Sequence, residues 1–326
     1  MNTFEVNNKN SKVTIVMYHY VRNLKESRYP NIKGLDYKLF KEQMEFICKN
    51  YNVVTMEEVI KSSCGEINLP EKALLLTLDD GYIDHYLNVY PILKKYGVQG
   101  SFFLSAKTLA ESKVLDVNKI HFILASKDIN LLVKDVFDYL DEYRKKGYKI
   151  ESNEILFNKL AIANRFDCKE TIFVKRLFQN ELDEGLRNEL VQRLFEENIE
   201  VDETTFSKEL YMNMDQIKCM KRDGMYFGIH GYDHYWLGKL ENEKMKEDIN
   251  KALRFFDGII DKNNWVMNYP YGSFNDEVIN YIKTIGCKLG ISTEVDIATI
   301  NKESLYNLPR LDTNDLPPKS NNYLNY

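Results

Sequence analysis

The chain has 326 residues, 44% hydrophobic and 29% charged, which excludes a disordered protein and allows one large core or two smaller ones. Its net charge of -5 includes no basic stripe, which argues against a nucleic-acid surface, and no apolar run reaches the length of a membrane span. Cys48, Cys64, Cys168, Cys219 and Cys287 are odd in number and scattered without a Cys-x-x-Cys pair, so neither a disulfide framework nor a thiolate zinc site is expected. Residues 1–10 lack a basic-then-apolar leader, and together these features lead us to expect a cytoplasmic protein.

Val13 to Tyr18 is β-branched and apolar and reads as the first strand, ending at His19. Asp36 is placed to cap a helix with Phe40, Met44 and Ile47 on its inner face. Val53-Val54 predicts a short strand and residues 56–61 a short helix. Ala73-Leu74-Leu75-Leu76, bounded by Glu71-Lys72 and Gly81, predicts a strand buried on both faces that runs into Thr77-Leu78-Asp79-Asp80-Gly81. A helix over 84–96 follows, with Leu87, Tyr90 and Leu93 at helical spacing and a stop at Gly97, and then a strand over 98–104. The alternation resumes with helices over 215–222, 241–256 and 276–284 and strands over 225–229, 265–268 and 289–292, the last expected. Alternating strands and helices predict an α/β fold, a closed or nearly closed parallel (β/α) barrel of about seven units.

Residues 116–212 interrupt that pattern, and a stretch so long is not a loop. Leu132, Val133, Val136, Phe137, Leu140 and Tyr143 follow helical spacing, as do Leu186, Leu190, Val191, Leu194 and Phe195. An inserted helical subdomain is expected between barrel segments 1–115 and 213–326. It would serve as a lid over the strand C-termini or as a surface for pairing with a second copy.

Two adjacent carboxylates after a buried strand are costly, because like charges resist joint ionisation, and a bound cation removes the cost. A plain Asp-Asp-Gly turn accounts for the same stretch without one. The second apolar strand, however, runs into His230-Gly231-Tyr232-Asp233-His234, and two histidines four apart can reach one ion. Asp80, His230 and His234 would leave an open position, as a catalytic metal requires. One oxygen and two imidazoles suit zinc first, then nickel, cobalt, manganese or iron(II).

Residues 77–81, 230–234 and Tyr269-Pro270-Tyr271-Gly272 resemble, in order and spacing, the three main motifs of NodB-homology polysaccharide deacetylases, carbohydrate esterase family four. The resemblance covers roughly 12–110 and 213–315 but not the insertion. It implies a distorted barrel and metal-dependent hydrolysis of an N-acyl group on an amino sugar. By that resemblance Asp79 is the general base, Asp80, His230 and His234 are the metal ligands, and the Tyr271 backbone N–H helps hold the oxyanion.

The sequence departs from the family pattern at three points. Gly231 stands where Ser or Thr is frequent, a change expected to have a small effect around the metal. Asn268 replaces the Arg that usually orients the base, and Arg310, in Leu308-Pro309-Arg310-Leu311-Asp312, is the candidate replacement, a surface Arg being the competing reading. No histidine near the C-terminus can act as the acid. Tyr18-His19-Tyr20-Val21 resembles the Tyr-His-x-Val motif of the branch that includes poly-N-acetylglucosamine deacetylases, so His19 is expected to protonate the leaving amine, against a structural role. His85 is expected on a helix surface. His121 opens the insertion, where contact with substrate is the less favoured reading. Tyr82, Tyr232, Tyr235, Trp236 and Tyr269 crowd the motif loops and suit either a sugar cleft or core packing.

The expected protein removes an N-acetyl group from an amino sugar in a glycan, a lipid-linked precursor or a nucleotide-linked precursor. Deformylation or O-deacetylation on the same scaffold, and a non-catalytic glycan-binding module, are the alternatives.

Overall fold

A computed structural model describes residues 11–164 and 167–326, so the leader reading of residues 1–10 lies outside the described residues. The chain divides into two compact units. The first comprises the described part of 1–23 together with Gly34–Ser112 and Lys208–Tyr326, and the second Leu24–Lys33 with Lys113–Ser207.

The first unit is built on eleven strands: β1 (Ser11–Tyr18), β2 (Val21–Arg22), β3 (Leu35–Asp36), β4 (Asn52–Val53), β5 (Ala73–Asp79), β6 (Ser101–Leu104), β7 (Tyr226–Ile229), β8 (Val266–Asn268), β9 (Leu289–Ile291), β10 (Ala298–Ile300) and β11 (Leu311–Asp312). The curled sheet runs β10-β1-β5-β6-β7-β8-β9, with every pair parallel except β1 with β10, while β4 adds to β5 and β2 pairs only with β3. The expectation that 289–292 is the last strand is corrected, since β10 and β11 follow it. Both are too short for a periodic pattern to mark them. The final segment joins the open ends of the curl, because Leu308 bridges Ile291 while Leu311 and Asp312 pair with Val16 and Met17.

Side-chain alternation sorts each strand between two cores. Leu74, Leu76 and Leu78 pack among residues of the surrounding helices, including Phe40, Met44 and Ile47 behind the Asp36 cap. Ala73 and Leu75 pack instead with Val13, Ile15, Phe103, Tyr226, Val266, Leu289 and Ile291, where the sheet curls on itself. Asp79 is four residues beyond Leu75, His230 four beyond Tyr226, and Asn268 two beyond Val266. Strand parity therefore turns all three toward the inside of the curl at the C-terminal ends of their strands. Close packing there also explains Gly228, whose added Cβ would stand 2.5 Å from the Phe103 ring.

The helix after β5 does not follow the predicted phase. Residues His85–Val89 form a π turn, with the Tyr90 N–H bonded to the His85 carbonyl, before the helix continues as Tyr90–Tyr96 and stops at left-handed Gly97. The extra residue in that turn rotates what precedes it, so residues 85 and 90 share a face. His85 is therefore fully buried and Leu87 is 59% exposed, which corrects the surface placement of the first and the inward placement of the second.

The second unit is helical among its described residues, and no helix there or in the first unit is long and apolar enough to cross a membrane. The helices Asp116–Ser126 and Glu184–Asn198 pack together, and Leu186, Leu190, Val191, Leu194 and Phe195 are buried. His121 is half-buried on the first of these helices.

Candidate metal centre and active site

Sharp turns after the strands bring the site together. Asp80 and Gly81 both adopt positive φ directly after β5, at 72° and 74°. Asp80, His234 and Tyr271 are three of the five non-glycine residues with positive φ among the described residues. Such conformations cost about 1 kcal/mol or more each and persist where the surroundings hold them, so the strain is concentrated at the predicted site.

Asp80, His230 and His234 are buried and converge. The two histidine Nε2 atoms are 3.1 Å apart and lie 3.5 Å (His230) and 3.4 Å (His234) from Asp80 Oδ1. Donor atoms on one tetrahedral ion, at bonds of roughly 2.0–2.2 Å, stand about 3.3–3.6 Å from one another. Hydrogen bonds orient two of the three side chains, His230 and Asp80. His230 Nδ1 donates to the Asn268 carbonyl over 2.7 Å, which leaves the Nε2 lone pair facing inward. The Tyr82 hydroxyl donates to Asp80 Oδ2, while Asp80 Oδ1 is buried without a hydrogen-bond partner. A buried carboxylate oxygen with no donor, facing two imidazole nitrogens, fits a divalent cation held by all three. Burial raises the Asp80 pKa, but the neighbouring His234, with His230 and His19, holds it well below the usual carboxylate range. Burial and the neighbouring His234 push His230 down to about 4, so it is neutral and able to ligate at physiological pH.

The loop bearing these histidines is pinned from the helix Asn242–Phe255. Asp248 Oδ1 and Oδ2 accept from the N–H groups of Asp233 and Tyr232, each over 2.9 Å. Gly231 has a φ of 72°, and an added Cβ would stand 2.8 Å from Asp248 Oδ2. The carboxylate occupies the space that a Ser or Thr side chain would need, so this departure comes with a different packing of the loop.

Asp79 is held as an ionised carboxylate. Arg310 is 1% exposed, which corrects the competing surface reading, and its guanidinium grips both oxygens of Asp79 over 2.9 Å. Arg310 is itself aimed by the Ser292 carbonyl at 2.8 Å, Thr77 Oγ1 at 3.1 Å and Asn268 Oδ1 at 3.1 Å. The Asn268 amide donates to Asp79 Oδ1 over 2.6 Å. Asn268 thus joins the carboxylate, the guanidinium and the His230 ring. Burial raises the Asp79 pKa, but Arg310, followed by His19 and His230, pulls it below the ordinary value. Asn268→Ala is expected to remove about 1–2 kcal/mol of stability and on the order of tenfold in kcat. Bound metal should be unchanged, because the residue 268 carbonyl still orients His230; thermal unfolding, kinetics and metal content check each part.

His19 leaves the end of β1 with its Nε2 3.8 Å from Asp79 Oδ2 and its side chain 40% exposed, open to solvent on one side and facing the carboxylate on the other. Tyr271 lies beyond His234, with ring centroids 4.6 Å apart, and stacks on Trp236 at 4.5 Å. The other aromatic candidates are mainly packing groups. Tyr82 is fully buried and stacks on Tyr20, Tyr269 is buried with its hydroxyl on the Tyr306 carbonyl, and Tyr232 bonds Glu111. Tyr235 lies under the Lys244 ammonium. Sequence reasoning missed the parts played by Asn268 as a joint and by Asp248 as a pin. Asn268 was legible only as a departure at a strand end, and nothing around Asp248 distinguishes it from other acidic residues of its helix.

The family model for polysaccharide deacetylases matches residues 66–290. A poly-beta-1,6-N-acetyl-D-glucosamine N-deacetylase of Staphylococcus aureus is 26% identical over 228 residues, covering 66% of this chain and 72% of that protein. Among solved structures, the Streptococcus pyogenes deacetylase PplD in complex with acetate matches with a TM-score of 0.59 and 18% identity, over 97% of both chains. IcaB from Ammonifex degensii matches with a TM-score of 0.56 and 18% identity, over 97% of this chain and 96% of its own. These likenesses bear out the curled (β/α) barrel. With the family model covering most of the barrel and all three motif turns, the chain belongs to the polysaccharide deacetylase family.

Proposed function

We propose that the protein is a divalent-metal-dependent hydrolase that removes an N-acetyl group from an amino sugar, in a glycan or in its lipid-linked or nucleotide-linked precursor. The observation that carries this reading is the Asp79 carboxylate, clamped by Arg310 and Asn268 directly beside the Asp80–His230–His234 cluster. A glycan-binding module has no use for an ionised base held against a cation site. The named activity of the S. aureus relative supports a β-1,6-linked N-acetylglucosamine oligomer as the first substrate to try. Five free cysteines support a reducing compartment, and the cytoplasm is part of the proposal on that ground.

Asp80, His230 and His234 would hold the metal, zinc first and then nickel, cobalt or manganese. When bound, it polarises the amide carbonyl and makes the attacking water more acidic. Asp79 takes a proton from that water as the oxygen bonds to the acyl carbon. The Tyr271 N–H helps hold the charge developing on the carbonyl oxygen. As the C–N bond breaks, the nitrogen takes a proton from the His19 imidazolium, and acetate and a free amino sugar result. Arg310 and Asn268 keep Asp79 ionised until it takes that proton and hold its side chain in place.

Chelation is expected to abolish acetate release, and one equivalent of zinc, nickel, cobalt or manganese to restore it, whereas His234→Ala neither retains metal nor recovers. A panel of N-acetyl, N-formyl and O-acetyl sugars, scored for acetate and formate, should give acetate from the amide. Turnover by metal-free protein would remove the metal from the mechanism, and exclusive formate or ester cleavage would replace the N-acetyl reading.

A further inference from the structure

The π turn over His85–Val89 grips the segment that carries His19. Asp84, just before it, accepts on Oδ2 from the Val21 N–H over 3.2 Å and from Arg22 Nε over 2.7 Å. Asn88 Nδ2 donates to the Val21 carbonyl over 2.7 Å, and His85 Nε2 bonds the His19 carbonyl over 2.9 Å. Two side chains of the turn and that of the residue before it thus converge on residues 19–22, and the residue whose carbonyl His85 holds is the one whose imidazole faces Asp79. A carbonyl only accepts, so His85 carries its proton on Nε2. Its ring lies between Tyr82 and Phe102, with centroids 5.6 and 5.7 Å away, and burial pushes its pKa down to about 4, keeping it neutral.

Packing alone does not explain this turn. It buries a histidine whose Nδ1 has no hydrogen-bond partner, and it leaves Leu87 59% exposed. A continuous α-helix with an apolar residue at position 85 would avoid both costs. Local sequence and structure that oppose each other in this way, in a π turn adjoining a site, are characteristic of function.

We propose that this turn is a positioning device: His85, assisted by Asp84 and Asn88, sets the main chain of His19 so that its imidazole stands at the scissile nitrogen. His85 touches no reacting atom and acts through His19. The inference rests on the reading of His19 as the general acid.

A double-mutant cycle with two substrates tests it, using an N-acetylglucosamine oligomer, whose amine leaves only with a proton, and p-nitrophenyl acetate, whose phenolate needs none. His85→Leu is expected to lower kcat on the amide about tenfold to a hundredfold, with KM, bound metal and ester hydrolysis unchanged. His85→Gln, which keeps a donor, should recover most of the loss. In a His19→Ala background His85→Leu should cost nothing more. Asn88→Ala, at a half-buried position, should give a smaller loss of the same kind and serves if His85→Leu folds poorly. Equal losses on both substrates, or a His85 effect that adds in full to that of His19→Ala, would overturn the inference. Unimpaired amide hydrolysis by His19→Ala would overturn the acid assignment beneath it. An amide-selective loss in His19→Ala with none in His85→Leu or Asn88→Ala would overturn the positioning role alone.

Discussion

Asp79→Asn is expected to lower kcat for amide hydrolysis on the order of 10³-fold, with metal stoichiometry and substrate binding close to wild type. The substitution keeps the shape of the side chain and one accepting oxygen, so Arg310 or Asn268 can still bond it. It removes the ionised carboxylate, clamped beside the cation site, that is placed to take a proton. The proposed metal donors are the next carboxylate and two imidazoles on another loop, none of which Asn displaces. Kinetics, metal analysis and binding of a non-hydrolysed sugar, measured on one preparation, separate base from ligand. Wild-type turnover by the variant would show that another group takes the proton.

Arg310→Met is expected to lower both stability and activity. It leaves the Asp79 carboxylate buried without its cation, at a cost of about 3–5 kcal/mol. That corresponds to a fall in Tm on the order of 10 °C for a unit of this size. Burial, which raises the Asp79 pKa, then acts with less opposition, so the acid limb of kcat/KM moves to higher pH. The stability effect has the matching sign. In the wild type the depressed pKa of Asp79 contributes stability above the ordinary carboxylate range, and this is lost as pH falls through the folded value. In the variant that contribution is reduced or reversed, so the difference in Tm should be largest near neutral pH and shrink on acidification. A pH-independent difference would mean that Arg310 acts by packing alone.

Much of the barrel was legible because its strands are short apolar runs and its helices carry strong local caps. Asp36, Thr55, Asn213 and Asn275 each cap a helix with their own side chains, so those boundaries depend on neighbours in sequence. The π turn was not legible, because Leu87, Tyr90 and Leu93 satisfy an α-helical period that the structure does not follow at its start. The closing segment was hidden for a different reason. β10 and β11 are held by β1, about three hundred residues away in sequence, and have no pattern of their own.

The sequence by itself determined the chemistry of this protein: a carboxylate pair at a strand end, two histidines four apart, and a Pro-Tyr-Gly turn in family order. Residue type and spacing are local properties, and a strand's two-residue period already turns Asp79, His230 and Asn268 to one side. The tertiary structure alone decided how the Asp79 carboxylate is held. A buried carboxylate needs a cation, and nothing local dictates which one. Only closure of the curl by residues 308–312 brings the Arg310 guanidinium, 231 positions from Asp79 in sequence, within 2.9 Å of it. Asn268 then joins that pair to His230: its neutral side-chain amide donates to Asp79 and accepts from Arg310, while its backbone carbonyl accepts from His230 Nδ1.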